Sequence, residues 1–333
     1  MPPYRPVSEP VNYPIIRQSV VVGSVLLLIF SGVWLLPDTQ EETSHKTTAS
    51  EQLVIQELPA ATVIEPLHIP SDALEATAAH VYDVRSGTTI YQREASRVHS
   101  IASITKLMTA LLVHELLAEL DEPIIVSAAA VAQHGNSGLR VGERITAENL
   151  NSYALLASSN DAAYALAYSL GERIMPGKGS EAFINLMNIR AQELGLEDTQ
   201  FQNPTGLDVS AAESGALSTA TDVSTLMSYI VTNYPELLQP TRAVETRILN
   251  QEGGFHLAAN TNPIVDTIPN LLGSKTGFTN LAGGNLTIAY DAGFNRPIII
   301  TVLDSSWSGR FTDVQKLVEA VQRHLQEDLE YSE

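Results

Sequence analysis

The sequence predicts a mixed α/β domain in which an antiparallel sheet is flanked by helices and accompanied by an all-helical subdomain. Two pairs of strand-like segments lie far apart in the chain. Ala79–Val84 alternates as a strand, Arg85-Ser86-Gly87 turns, and Thr88–Gln92 returns. Near the other end, Leu286–Tyr290 and Ile298–Val302 read as adjacent antiparallel strands. Between them lie runs with helical periodicity, and a further amphipathic helix closes the domain over Phe311–Leu325. The chain of 333 residues has room for one large domain or two small ones, plus extensions.

Ser19–Leu36 carries no charge and is strongly apolar. At 1.5 Å per residue it reaches roughly 27 Å, enough to cross a bilayer core. Arg5 and Arg17 precede it, whereas Asp38, Glu41 and Glu42 follow. The positive-inside rule then leaves residues 1–18 in the cytoplasm, makes 19–36 a transmembrane anchor, and sends the rest outside. A cleaved signal peptide with secretion is the alternative; the Trp34-Leu35-Leu36-Pro37 ending offers poor cleavage chemistry. Residues 37–72 are rich in Thr, Ser, Glu and Pro, bury too little apolar surface to fold alone, and read as an extracytoplasmic linker. The folded domain is expected over 73–327, leaving 328–333 as a tail.

Composition excludes several function classes. A formal net charge of −19 disfavours nucleic acid as a partner. Zero cysteines exclude disulfides, thiolate catalysis and Cys-ligated zinc. The histidines show neither H-E-x-x-H nor any paired metal-binding spacing, so no metal is expected.

Within the domain, Ser103–Leu120 is the first long helix, with Met108, Leu111, Leu112, Leu116 and Leu117 as its buried stripe. Ser103 falls in its first turn and Lys106 three residues on, so hydroxyl and amine share a face. A serine attacks well only once a base takes its proton, and a lysine serves as that base only with a depressed pKa. Alone, this pair also reads as a helix cap followed by a surface lysine. Thr146 reads as the N-cap of a helix leading to Ser158-Ser159-Asn160, and Asp161 opens the next, Ala-rich helix. Three capping residues between helices are most simply a junction. Glu181–Leu194 is amphipathic and closed by Gly195, Thr199–Leu207 is a turn-rich loop, and Ser218–Asp222 caps another helix. Lys275-Thr276-Gly277 reads as an inner or edge strand whose glycine lets another backbone approach, such as an extended peptide.

In combination these signals are specific. S-x-x-K, S-x-N and K-T-G occur in that order, at a helix start, an interhelical turn and a strand. Of five lysines, only Lys106 has a serine three residues before it. Over roughly Ala73–Leu325 the chain resembles the serine-type D-alanyl-D-alanine carboxypeptidases, the low-molecular-mass penicillin-binding proteins of the serine β-lactamase-like superfamily. Asn160-Asp161-Ala162-Ala163, Asn203 with Gly206-Leu207, Asn260-Thr261-Asn262 and Gly273–Thr279 extend the likeness. Two positions depart from it: Ser159 stands where the family usually has Gly, and Ser274 where a hydrophobe is common.

The resemblance implies a β-lactamase/transpeptidase-like fold and removal of the terminal D-Ala from peptidoglycan stem peptides through an acyl-enzyme on Ser103. It implies Lys106 as base, Ser158 and Asn160 as further catalytic residues, and Lys275, Thr276, Gly277, Phe278 and Arg310 as the substrate-binding set. Backbone N–H groups of Ser103 and Phe278 would hold the oxyanion. Lys275, nearer solvent, is expected to stay charged and to repel the proton of Lys106. Stem peptides and β-lactams are the implied partners, with no cofactor. An N-terminal anchor would replace the family's tail anchor. No E-x-x-L-N loop is found between Asn160 and Lys275, which argues against fast β-lactam release. D,D-endopeptidase or β-lactamase action, or muropeptide binding without catalysis, remain as alternatives.

Overall fold

The computed structural model describes residues 67–70, 72–116, 122–135 and 137–330. The anticipated anchor over 19–36, most of the linker and the end of the first long helix, Leu117 included, lie outside the described residues.

β1 (Ala78–Asp83) and β2 (Thr88–Arg93) form the expected hairpin. The Asp83 carboxylate closes its turn by accepting from the Arg85 and Ser86 N–H groups. β3 (His99–Ser100) leads into a 3-10 turn over Ala102–Thr105 and then α1 (Lys106–Glu115). α1 is buried continuously from Lys106 to Val113, not along a single stripe. It is a central helix packed against its neighbours on every side, so no face needed to be polar.

β4 (Ile124–Ile125), α2 (Ala128–Val131) and β5 (Arg144–Ile145) precede α3 (Ala147–Leu156). Thr146 Oγ1 caps α3 through the Asn149 N–H. The Asn149 side chain reaches the Leu249 carbonyl instead of completing a capping box. α4 (Asn160–Ile174) and α5 (Gly179–Glu193) follow. α5 ends in a Schellman motif: Gly195 has φ +71°, its N–H reaches Gln192 O, and Leu196 N–H reaches Ala191 O.

β6 (Gln200–Phe201) and β7 (Ala216–Ser218) pair with each other, and β7 also pairs with β3. α6 (Ala220–Asn233) is capped by Thr219 Oγ1. A 3-10 segment, Pro235–Arg242, leads to a hairpin of β8 (Glu245–Leu249) and β9 (Phe255–Ala259). The domain closes with β10 (Leu271–Thr279), β11 (Gly283–Asp291), β12 (Pro297–Ser305) and α7 (Gly309–Glu330).

The main sheet has the order β10-β11-β12-β1-β2 and is antiparallel throughout. Both faces are covered, which is why Ile298–Leu303 is continuously apolar but for Thr301. Ile298, Ile300 and Val302 join Val314, Leu317 and Val321 of α7 in one core. Ile299 and Leu303 face the other core, which contains α1, α3, α4 and α6. Leu67 and Ile69 already pack on the α7 side, and Leu67 N–H donates to Ile90 O at 3.0 Å. β10 is an edge strand, and it brings Lys275-Thr276-Gly277 alongside the turn at Ser103.

Candidate active site

Ser103 lies in the 3-10 turn that precedes α1, not in the first turn of an α-helix. The outcome for the pair is the same, because residues three apart eclipse one another in a 3-10 helix. Lys106 Nζ is 2.8 Å from Ser103 Oγ. Two glycines make room for this turn. A Cβ on Gly206 would fall 1.9 Å from Ala102 O, and one on Gly277 would fall 2.6 Å from Ile101 O. One backbone that approaches Gly277 this closely is the chain's own, at Ile101.

Lys106 is fully buried and donates to Ser103 Oγ, to Asn160 Oδ1 at 2.7 Å and to the Thr205 carbonyl at 2.7 Å. The Asn203 side chain sets that carbonyl by accepting from Thr205 Oγ1 and from the Thr205 and Gly206 N–H groups. Burial first, and the Lys275 cation second, hold Lys106 well below the ordinary lysine range.

The second motif joins α3 to α4. Ser158 takes φ +56°, a left-handed turn that carries its hydroxyl to Lys275. Ser159 is the N-cap of α4, its Oγ accepting from the Ala162 N–H. Asn160 is placed by two bonds: its Nδ2 donates to His134 O at 2.6 Å while its Oδ1 meets Lys106.

Lys275 does not sit near solvent as expected; it is 1% exposed. Its Nζ donates to Ser158 Oγ and to Thr276 O, each at 2.9 Å. Burial first, and Arg310 second, lower its pKa to about 7. The fixed cation of the row is Arg310: burial lowers its pKa only to about 10, so it stays charged near neutrality. Its Nη1 donates to Gly277 O at 2.7 Å, and its guanidinium lies 4.4 Å from the Trp307 ring centroid and 4.6 Å from that of Phe311. Such stacking holds the planar fork while aromatic faces cover it.

Ser103, Ser158, Thr276, Gly277, Phe278 and Arg310 line one cleft of about 420 Å³. Lys106, Asn160 and Lys275 stand behind its wall and act on it through Ser103 and Ser158. The structure thus brings all nine expected residues together in two layers. Sequence reasoning missed the Thr205 carbonyl, which has no side-chain signature. It also missed Thr261, whose hydroxyl is 2.6 Å from Thr276 Oγ1, and Trp307, which lines the cleft. Ser274, the polar departure in the third motif, is buried but satisfied: its Oγ accepts from Asn262 Nδ2 and its N–H donates to Thr241 Oγ1.

A nucleophile with a buried amine beside it, a second hydroxyl on a second lysine, and an arginine across the cleft together suit acyl transfer from an anionic substrate. Residues 64–306 match the family described as D-alanyl-D-alanine carboxypeptidase. A D-alanyl-D-alanine endopeptidase of Pseudomonas aeruginosa is 36% identical over 247 residues, 72% of this chain and 74% of that protein. D-alanyl-D-alanine carboxypeptidase DacF of Bacillus subtilis is 29% identical over 74% of this chain and 62% of its own length. A Listeria monocytogenes penicillin-binding protein, solved in its ampicillin-bound form, superposes with a TM-score of 0.62 at 32% identity, covering 76% of this chain and 99% of that one.

Proposed function

Because the chain belongs to the D-alanyl-D-alanine carboxypeptidase family, we propose that it is a serine-type D,D-peptidase that removes the terminal D-Ala of peptidoglycan stem peptides and is acylated by penicillins. The observation that carries this reading is the 2.8 Å contact between the fully buried Lys106 Nζ and Ser103 Oγ, which opens on the cleft.

The chemistry follows from that contact. With Lys106 neutral, the bond runs from the Ser103 hydroxyl to Nζ, and Lys106 takes the proton as Oγ attacks the carbonyl of the penultimate residue. The new C–O bond makes a tetrahedral oxyanion, which backbone N–H groups of Ser103 and Phe278 stabilise; each such donor is typically worth about 2.7–4 kcal/mol. As the C–N bond breaks, the leaving amine needs a proton. Ser158, bonded to Lys275, is placed to pass one. Asn160 holds Lys106 through its Oδ1. Thr276 and Arg310 receive the terminal carboxylate in the cleft, with Lys275 adding positive potential from behind. Water then attacks the acyl carbonyl and gives its proton to the Ser158–Lys275 pair, replacing the one passed to the amine, while the proton held on Lys106 returns to Ser103 Oγ as the ester C–O bond breaks.

The Pseudomonas relative supports a second reading on the same machinery, endopeptidase action on cross-linked stem peptides. Product analysis separates the two: a pentapeptide loses D-Ala to a carboxypeptidase, whereas a cross-linked dimer is opened by an endopeptidase. A wild-type chain that processes neither substrate contradicts the proposal.

We further propose that residues 19–36 anchor the chain with its catalytic domain outside the membrane; the charge-free apolar run and the flanking Arg5 and Arg17 support this. Among the described residues no helix is long and apolar enough to cross a membrane. Recovery of an intact N-terminus from the membrane fraction is expected, and a mature start between Trp34 and Ser50 contradicts it.

A further inference from the structure

Ser159 takes no part in the chemistry above, yet it is 2% exposed and bonded in two directions. Besides capping α4, its Oγ donates to Ser137 Oγ at 2.8 Å. Ser137 Oγ donates onward to Asp161 Oδ2 at 2.8 Å, and the Ser137 N–H reaches the same oxygen at 3.4 Å. The Tyr153 hydroxyl donates to the Ser137 carbonyl. Asp161 is fully buried; among the described residues Ser137 is its one side-chain partner and its Oδ1 meets no hydrogen-bond partner. A buried carboxyl with one oxygen unpartnered is costly to the fold, so its place here calls for a reason.

The reason lies one short step along the chain. His134 supplies the carbonyl that accepts from Asn160 Nδ2, three residues before Ser137. An amide side chain has a donor end and an acceptor end. Fixing its NH2 on His134 O decides that the oxygen, and not the nitrogen, faces Lys106. Ser137 therefore ties down the backbone on which the orientation of Asn160 depends, and Ser159 ties down Ser137.

We infer that Ser159 is a positioning residue: its hydroxyl, through Ser137 and Asp161, holds the His134 carbonyl against the start of α4 so that Asn160 keeps its oxygen on Lys106. This rests on the reading of Lys106 as the base for Ser103. The effect falls on the acylation rate more than on the helix, because glycine is nearly as good an N-cap as serine.

The test measures the rate at which labelled penicillin acylates Ser103 in the full chain, together with thermal stability. Wild type is compared with Ser159→Gly, Ser137→Ala and the double variant. Each single change removes one link of a buried hydrogen-bonded chain and should slow acylation about three- to tenfold. The double variant should be no slower than the slower single one, because either break frees the same segment. Ser159→Thr, which restores the hydroxyl, should recover most of the rate. If both single variants acylate as wild type, or their losses multiply in the double, the inference is overturned; that comparison does not depend on accommodating the threonine methyl. A wild-type chain that penicillin does not label at Ser103 overturns the underlying reading, and this one with it.

Discussion

Lys106 Nζ stands 2.8 Å from Ser103 Oγ, and the amine has no exposed surface. Its other two contacts, the Asn160 amide oxygen and the Thr205 carbonyl, are neutral. No carboxylate pairs with it among the described contacts. Burial and the nearby Lys275 both disfavour the ammonium, so the amine is available as a base where an ordinary lysine, with a pKa of about 10.4, is not.

Lys106→Arg should therefore abolish acylation by labelled penicillin, since a guanidinium does not release its proton. A loss of at least about 10³-fold is expected, in the range for removing a base that activates a nucleophile. Circular dichroism should show a folded protein. The acylation rate of the wild type should also rise with pH through a group titrating well below 10. Acylation of the arginine variant at near the wild-type rate counts against the lysine base.

Lys275→Met removes one cation from the row while keeping a side chain of similar length. Relieved of that repulsion, Lys106 should hold its proton more tightly, moving the ascending limb of the acylation profile to higher pH. The same variant reports on stability. Lys275 falls from 10.5 in the unfolded chain to about 7 in the fold, so between those pH values the unfolded chain binds the extra proton. Its contribution to stability must then rise with pH across that window, by up to about 1.4 kcal/mol per pH unit, and be flat below about pH 7. Denaturant titrations from pH 6 to 10 should show that rise in the wild type and a shallower one in Lys275→Met. Parallel curves would mean that Lys275 keeps its proton in the fold.

Gly277→Ala should destabilise the domain by about 1–3 kcal/mol and slow acylation, because the new Cβ would lie 2.6 Å from Ile101 O. The strand and the Ser103 turn must move apart, which widens the cleft at its reacting end. Thermal melting combined with the acylation rate checks this; an unshifted melting temperature would show that the contact is looser than the geometry says.

The site was legible in the sequence where chemistry and spacing are local. Ser103 and Lys106 announce themselves because three residues are one turn in either kind of helix. The third motif had its strand, and the hairpins at the two ends of the chain their alternation. What was not legible depends on distant packing. Nothing near Lys275 in the sequence says that its amine turns inward to Ser158 Oγ and Thr276 O, so a lysine nearer solvent was the natural expectation and a buried one the result. The stripe expected on α1 failed for a related reason, since neighbouring helices cover every face of it. Thr205 contributes a carbonyl, and a main-chain atom leaves no mark on composition. Ser159 was read only as a departure from the family's usual Gly; its φ of −59° is ordinary, and its bond to Ser137 is the more informative fact.

The most direct measurement is the mass and position of the penicillin adduct on the full chain. Digestion and mass spectrometry after brief exposure to benzylpenicillin should place one acyl group on Ser103, and Ser103→Ala should carry none. An adduct on Ser158, or undiminished labelling of the alanine variant, would contradict the assignment of the nucleophile on which the rest depends.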